Sequence, residues 1–566
     1  MLASLLAVLL AAVRPDQVLV VVNDSSAISV AVGSYYAEVR SIPADHVLHL
    51  AAGTTTAEVI DRPTYNAAIR DPIANYLTAV HPELKDHIKF LALTKDVPLH
   101  VTAVGGGDPH ASVDSDLTLL FTGIVPDDGS GGWRKNPYFA SLRSFDEFAV
   151  PDQISYLVFR LDGYQTGIDP GTGVPIDIKR LIDDAERPAT SGVFVLDATS
   201  WGGDENGWMA SAAADLAAMG MNVVYDSSTT FLSNQPDILG YCSWGSNDPA
   251  NPGAPYYGEV PPGSATFYPG RFLPGALTTD YVSTSGRTFI DGNQNYGQSL
   301  LADLIRNGAS GGNGHVWEPF SIAVARPHLL FRDYLEGFSC GEAYYHSIQY
   351  LHWMNVIVAD PLMMSGIHAG LPPALQAITG KGSHRGGSTL DLTGRNFTNP
   401  AWSALTFSGV PAAALDTQSR THMTAVAPAL EPGLHDVTLT TPFGSSSKTH
   451  AYMALPAITI DGTPAPGQSL AVTMWDQPND EFFVFVSLGT ADLAVPPYGR
   501  LRLDPTQSFA SVARGFFTFL DFWVVSGTIP DDPSLSGTTF YVQCLVGPSV
   551  AGGDAYLTNR ADLTIR

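Results

Sequence analysis

Two nucleophilic side chains, Cys242 and Ser243, follow directly after an apolar strand predicted over Asp237–Tyr241. A thiol at the end of a strand is accessible, and it becomes a nucleophile when a base or a cation lowers its pKa. His315, or an acidic side chain across the sheet, would be the activating group. The alternative is that Cys242 is a small buried apolar residue, which is how most free cysteines behave.

Ser243 offers a second possible nucleophile, because Ser243-x-Gly245 is half of the Gly-x-Ser-x-Gly turn of serine hydrolases. That turn needs glycine two residues before the serine and a helix after it. Here Tyr241 takes the glycine position, and Asp248 begins a Pro- and Gly-rich stretch instead of a helix. The pattern therefore argues against a serine hydrolase.

Several carboxylates follow predicted strands and could meet where the strands end. Together they could bind Ca²⁺ through oxygen ligands or act as an acid/base pair. They are Asp114, Asp116, Asp162, Asp197 and Glu318. Glu318 follows a strand expected at Val316–Trp317. The alternative is that they cap helices and turns, or that Asp162 pairs with Arg160. No histidines have zinc-ligand spacing, and no organic cofactor is predicted.

The elements that would position these residues alternate between strands and helices over the first 370 residues. Continuous apolar runs predict buried parallel strands, among them Val18–Val22 and Val47–Leu50. Amphipathic stretches between the strands predict helices at Ile28–Arg40, Tyr65–Val80, Ile176–Arg187 and Gly207–Met219. This alternation predicts βαβ units and an α/β sandwich of three layers around a mostly parallel sheet. Ligand sites in such sheets lie at the carboxyl ends of the strands.

Three motifs in the second half of this domain resemble a known fold. They are Gly-Ala-x-Gly-x-x-Gly-x-Val-Trp at 308–317, Gly-x-Ser-x-Gly-Glu-Ala at 337–343, and Ala-Asp-Pro-Leu at 359–362. The set is similar to the carboxy-terminal half of caspase-like cysteine peptidases of the gingipain and CHAT type. The resemblance implies that a catalytic His-Gly and a catalytic Cys precede this half, each after its own strand.

Neither member of that dyad is found where the resemblance places it. The histidine position lies in Tyr241-Cys-Ser-Trp-Gly-Ser246, where Trp244 stands in its place, and an indole cannot accept a proton. The cysteine position lies in Tyr281-Val-Ser-Thr-Ser-Gly286, which has the hydroxyls of Ser283, Thr284 and Ser285 and no thiol. We therefore expect a pseudo-peptidase, and the alternative is an active hydrolase that uses Cys242 or Ser243.

A further resemblance covers nearly the whole first domain. The order of short blocks is similar to that of an uncharacterised family of exported bacterial proteins. The first block is Val20–Asn23, and the later blocks begin at Tyr35, Leu93, Ala111, Arg160, Tyr241, Gly297 and Glu318. The resemblance supports the domain boundaries and export. It implies no activity.

Composition limits the kinds of partner. The chain has 566 residues with 29 Lys plus Arg against 55 Asp plus Glu, for a net charge of −26. Such a surface repels a phosphate backbone, so nucleic acid is not expected as a partner. The three cysteines form no disulfide framework.

The first residues predict export. An apolar run after Met1 is too short to cross a bilayer and predicts a signal peptide at residues 1–13, the alternative being a buried first helix. No later apolar stretch is long enough for a transmembrane segment. We therefore expect a periplasmic, cell-surface or extracellular protein with an unknown surface or extracellular partner.

The composition changes near Gly370, where helix periodicity gives way to short strands and turns. After the α/β domain at 14–370, we expect two all-β sandwich domains, at 373–455 and 456–566. Gly386-Gly-Ser-Thr-Leu-x-Leu-x-Gly-Arg-Asn-Phe397, with Pro432-Gly-x-His-Asp-Val437 later in the unit, resembles the IPT/TIG immunoglobulin-like domain. The last domain is similar to the carboxy-terminal β-domains of secreted bacterial proteins. Both are expected to act as spacers or adhesion modules.

Overall fold

The structure is a computed structural model that describes residues 14–102, 110–123, 133–148, 153–250, 257–259, 263–292 and 297–566. The signal peptide predicted at 1–13 lies outside the described residues. The chain divides into two compact units, Met1–Leu371 and Pro372–Arg566. Among the described residues, no helix is both long enough and apolar enough to cross a membrane.

The first unit contains seventeen described strands. In chain order they are β1 Val18–Asn23, β2 Val47–Leu50, β3 Val59–Asp61, β4 Phe90–Thr94, β5 His100–Thr102, β6 His110–Ser112, β7 Arg134–Lys135, β8 Leu157–Leu161, β9 Val193–Asp197, β10 Asn222–Asp226, β11 Gln235–Ser243, β12 Gly258–Glu259, β13 Phe267–Tyr268, β14 Gly270–Asp280, β15 Gly311–His315, β16 Tyr350–Leu351 and β17 Asn355–Ala359. Ten of them form one sheet, in the order β10-β9-β11-β14-β15-β17-β8-β4-β1-β2.

The direction of the strands changes once across this sheet. Strands β2, β1, β4, β8 and β17 are mutually parallel, and β15, β14, β11, β9 and β10 are parallel among themselves. The two groups meet at β15 and β17, which pair antiparallel. The carboxyl ends of the two groups therefore lie at opposite edges of the sheet, which we call edge A for the β1 group and edge B for the β9 group.

Helices cover the sheet. They are α1 Ala27–Arg40, a helical stretch α2 at 62–80 that includes π-helical turns, α3 Val113–Leu117, α4 Ile176–Ala185, α5 Asp204–Ala218, α6 Leu301–Arg306, α7 Pro327–Glu336 and α8 Cys340–Ser347. Side chains of β1 alternate between two separate cores, with Val18, Val20 and Val22 in one and Leu19 and Val21 in the other. Both faces of the sheet are thus buried, which confirms the predicted three-layer α/β architecture.

The strand that precedes Glu318 lies entirely outside its predicted bounds. The strand expected at Val316–Trp317 is instead Gly311–His315, a run of glycines with little apolar character. A Cβ atom at Gly312 would lie 2.2 Å from the Leu301 side chain. A side chain of the neighbouring helix α6 fills the space that the side chains of a strand normally occupy. The strand is therefore built of glycines, and a search for apolar runs does not detect it.

The second unit is all-β, as predicted. Its strands are β18 Ala374–Thr379, β19 Lys381–Ser383, β20 Thr389–Arg395, β21 Ala404–Phe407, β22 Val410–Pro411, β23 Ala414–Ser419, β24 His422–Val426, β25 Gly433–Thr441, β26 Gly444–Leu455, β27 Ala457–Gly462, β28 Ser469–Trp475, β29 Glu481–Ser487, β30 Thr490–Ala494, β31 Arg500–Leu503, β32 Ala510–Phe516, β33 Phe522–Thr528, β34 Thr539–Ser549, β35 Asp554–Leu557 and β36 Ala561–Thr564. Sheets β18-β20-β24-β23 and β19-β26-β25-β21-β22 share one core; sheets β27-β28-β33 and β32-β29-β34-β35 share another.

Candidate functional site

A row of three polar residues crosses edge B at the ends of adjacent strands. Ser243 of β11 is paired in register with Asp197 of β9 on one side and with Asp280 of β14 on the other. Residues paired in neighbouring strands point to the same face, so the three side chains lie side by side. All three are fully buried.

Ser243 is held by its neighbours and has no activating base among its hydrogen-bond partners. Its Oγ accepts a hydrogen bond from the backbone N–H of Gly245 at 3.0 Å. The hydroxyl of Tyr257 lies 3.3 Å from the same oxygen. Neither group can take a proton from a serine near neutral pH, so the contacts position the hydroxyl without activating it.

Cys242 points to the other face of β11 and is fully buried. Burial raises the pKa of its thiol, and the charged groups of Asp280 and Asp197 raise that pKa further. His315, the base considered for it, ends β15 beyond the intervening strand β14, which separates the two strands by about 10 Å. Burial also lowers the pKa of His315 to about 4. The structure does not bring this thiol and this imidazole together.

Trp244, at the position where the resemblance implies a histidine, packs into an aromatic cluster. Its indole Nε1 donates a hydrogen bond to the side-chain oxygen of Asn206 at 2.9 Å. Its ring centroid lies 4.6 Å from that of Trp201 and 5.2 Å from that of Tyr281. The indole N–H, the only polar group of this side chain, is therefore already engaged in a hydrogen bond with Asn206.

The residues at the position where the resemblance implies a cysteine form the turn that follows β14. Ser285 is buried, and its Oγ donates to the Asp280 carboxylate at 2.8 Å. The Thr284 hydroxyl donates to Gln298 at 2.6 Å. Ser283 is half-buried. Two of the three hydroxyls are thus committed to structural hydrogen bonds.

The turns after β11 and β14 contact each other. Asn247 donates its side-chain N–H to the backbone oxygen of Tyr281 at 2.8 Å. A Cβ atom placed on Gly245 would lie 2.7 Å from a methyl group of Val282. The two positions that the family resemblance assigns to a dyad are therefore neighbours at edge B.

The two buried carboxyls of this row have unusual acidities. Burial raises the pKa of Asp197 to about 7, opposed by one hydrogen bond from the backbone of Leu232. Burial likewise raises the pKa of Asp280 to about 7, opposed by the hydrogen bond from Ser285. One oxygen of each carboxyl has no hydrogen-bond partner within the described part of the chain. Sequence reasoning did not single out Asp280; its place at the end of a strand would have indicated it.

Three of the five carboxylates considered as Ca²⁺ ligands, Asp114, Asp116 and Asp162, are paired with cationic side chains. Asp114 accepts from the Arg160 guanidinium at 2.8 Å. Asp162 lies 3.0 Å from the ammonium of Lys95. Asp116 forms ion pairs with the side chains of Arg62 and His352.

The same five carboxylates are also spread over the unit. Asp162 follows β8 at edge A, whereas Asp197 ends β9 at edge B and Glu318 is exposed beyond β15. Across the residues that the structure describes, no group of three or more His, Cys, Asp or Glu side chains is arranged to hold a metal ion. The expectation that the five side chains converge was wrong, because the antiparallel β15–β17 pair reverses the strand ends.

Comparison with known proteins identifies one part of the chain. The family model for the IPT/TIG domain matches residues 373–452. No curated protein matches the chain.

Solved structures align only weakly. The full extracellular region of plexin A4 is 11% identical, with 30% of this chain and 17% of that chain covered and a TM-score of 0.15. SGBP-B, from a complex xyloglucan utilization locus in Bacteroides uniformis, is 13% identical over 38% of this chain and 77% of its own, with a TM-score of 0.15. The BSP domain of a biofilm associated protein is 9% identical, with 34% of this chain and 29% of that chain covered and a TM-score of 0.14.

The IPT/TIG match agrees with the two sheets that enclose a single core in this part of the second unit. It also covers the glycine-rich motif at 386–397 on which the prediction was based. Residues 373–452 are an IPT/TIG domain.

Proposed function

We propose that the first unit is a caspase-like scaffold without a working proteolytic dyad, and that the chain is an exported binding protein. Its β-domains would then act as spacers or adhesive parts, with the binding partner at the surface or outside the cell. The observation that favours this proposal most is the contact between the turns after β11 and β14. Those turns hold Trp244 and Ser283–Ser285 where the resemblance requires His and Cys.

The contacts at edge B favour an inert site over an active one. An indole donates hydrogen bonds but cannot accept a proton, so Trp244 cannot activate a nucleophile. The Ser285 hydroxyl is fully buried and donates to the Asp280 carboxyl, so it is not presented to a substrate in solvent. An active hydrolase that uses Cys242 or Ser243 is the competing proposal, and burial of both side chains argues against it.

Labelling with reactive probes tests the proposal directly. We expect no labelling of the native full chain by a fluorophosphonate or by an iodoacetamide probe. The denatured chain, whose thiols are exposed, is the positive control for the thiol probe. Native labelling that is abolished by Cys242→Ala or Ser243→Ala would overturn the proposal.

A gain of reactivity tests whether the two turns form a dyad site. If the two turns form a dyad site, the double variant Trp244→His with Ser283→Cys places an imidazole next to the new thiol and lowers the pKa of that thiol. We expect this thiol to react with iodoacetamide faster near neutral pH than in the matched single variant Ser283→Cys. Equal rates in the two variants would contradict the assignment of these positions.

A further inference from the structure

A cavity opens at edge A, where the chain order of the sheet reverses. Strand β1 pairs with β2, the next strand of this sheet in the chain, on one side, and with β4 on its other side. The crevice outside the carboxyl ends of such a pair is the usual ligand position in α/β sheets. Here it forms a cavity of about 400 Å³; the polar side chains that line it include Ser26, Glu58, Lys95, Asp96, Asp162 and Gln165.

The floor of the cavity is a buried ion pair. Lys95 is 2% exposed, and its ammonium lies 3.0 Å from the carboxylate of Asp162, which is 3% exposed. The ammonium also donates to the backbone oxygen of Phe289 at 3.0 Å. This cation is therefore neutralised by a partner beside it and leaves no net positive charge at the floor.

One wall is Asp96, which is fixed in place by three hydrogen bonds. Its carboxylate accepts from the hydroxyl of Ser26 at 2.5 Å and from the amide of Gln165 at 3.0 Å. Its backbone oxygen accepts from Asn23 at 2.8 Å. Ser26 is the N-cap of α1, so Asp96 already occupies the place near the positive end of this helix that an anionic ligand would otherwise take.

The opposite wall is Glu58, whose carboxylate accepts from the backbone N–H of Phe289 at 2.6 Å. Burial raises the pKa of Glu58, and the charge of Asp162 raises it further against the opposing effect of Lys95. In the described part of the chain, neither Glu58 nor Asp96 has a cationic side chain within ion-pairing distance. The cavity thus has three carboxylates and one ammonium, and two of its carboxylates lack a cation.

We propose that this cavity binds a small molecule with primary ammonium groups, with Glu58 and Asp96 as the ion-pair acceptors. Ile28, Val97 and Leu99 also line the cavity, and they supply an apolar surface for the methylene chain of an alkyl amine. An anionic ligand is disfavoured because the two unpaired carboxylates would repel it. The proposal does not depend on whether edge B is catalytic.

Calorimetric titration of the full chain with 1,5-diaminopentane tests this. We expect binding with a one-to-one stoichiometry, and no heat of binding from glutarate or from 1,5-pentanediol, which have the same carbon chain with the opposite charge or no charge. The comparison uses only the unaltered protein, so it does not depend on the folding of any variant. Absence of diamine binding, or equal binding of the diol, would overturn the proposal.

Two isosteric variants locate the site. Asp96→Asn and Glu58→Gln each remove one negative charge and retain the shape, and we expect each to weaken diamine binding at least about tenfold. The control is Asp24→Asn, which removes an exposed carboxylate near the cavity that does not line it. We expect less than about a twofold effect there. Equal losses in all three variants would show attraction by the general charge of the protein and would overturn the assignment to this cavity.

Discussion

Replacement of Asp280 by asparagine should change how the stability of the first unit depends on pH. The folded carboxyl has a pKa of about 7 because it is fully buried, whereas an unfolded aspartate has a pKa of about 3.9. Between about pH 5 and pH 7, the folded form keeps its proton and the unfolded form loses it. Each pH unit in that window therefore lowers the contribution of Asp280 to the free energy of unfolding by about 1.4 kcal/mol.

The magnitude follows from the width of the window. Two pH units give a loss of about 3 kcal/mol between about pH 5 and pH 7, and the loss stays constant above pH 7, where both forms are ionised. The amide introduced by Asp280→Asn would resemble the protonated carboxyl, because its oxygen can accept from Ser285 and its nitrogen is a donor. The stability advantage of the variant over the unaltered protein should thus grow by about 3 kcal/mol between about pH 5 and pH 8.

The measurement is urea denaturation followed by the helical circular dichroism signal. In the described part of the chain every α-helix lies in the first unit, so this signal reports its unfolding. The control is Asp237→Asn, an exposed position on β11 whose left-handed backbone, with φ of 52°, asparagine adopts readily. If the difference in free energy of unfolding between Asp280→Asn and the unaltered protein does not change with pH, the assigned burial of this carboxyl is wrong.

Two further predictions concern a buried ion pair of the first unit and the thiols. Arg160→Met should lower the free energy of unfolding by about 3–5 kcal/mol because it leaves Asp114 buried without its cation. Adding Asp114→Asn to this variant should recover much of the lost stability in the same urea assay. Equal stability of the single and double variants would contradict this reasoning. A colourimetric thiol reagent should react with the cysteines only after unfolding, because all three, Cys242, Cys340 and Cys544, are buried; fast reaction of the native chain that Cys242→Ala removes would show an accessible thiol instead.

Much of the first unit could be predicted from apolar runs. The strand expected at Val18–Val22 is observed at Val18–Asn23, and the strand at Val47–Leu50 has the predicted bounds. The helix expected at Ile28–Arg40 begins one residue earlier, after its N-cap Ser26. These elements are predictable because their side chains meet two continuous cores, so their composition must be apolar whatever the neighbours are.

Two features could not be predicted in the same way. The glycines of β15 form a strand because the Leu301 and Leu277 side chains occupy the space above and beside them, and that packing depends on residues distant in sequence. The reversal between β15 and β17 depends on which strands become neighbours. A sequence pattern specifies that a segment is a strand but does not specify the direction in which it enters the sheet.

That reversal also separates the two sites. In a wholly parallel sheet, the crevices beside β1 and β9 would open at the same edge and could serve one ligand. Here four strands, β8, β17, β15 and β14, lie between β4 and β11, which places these two strands about 24 Å apart at the usual strand spacing. The carboxyl ends also lie at opposite edges. A molecule bound in the edge A cavity therefore cannot contact Ser243, and substitutions at edge B leave the charges of that cavity unaltered. For the same reason, variants at Trp244 or Ser283 should leave diamine binding unchanged, and a shared effect would require coupling through the sheet rather than a shared site.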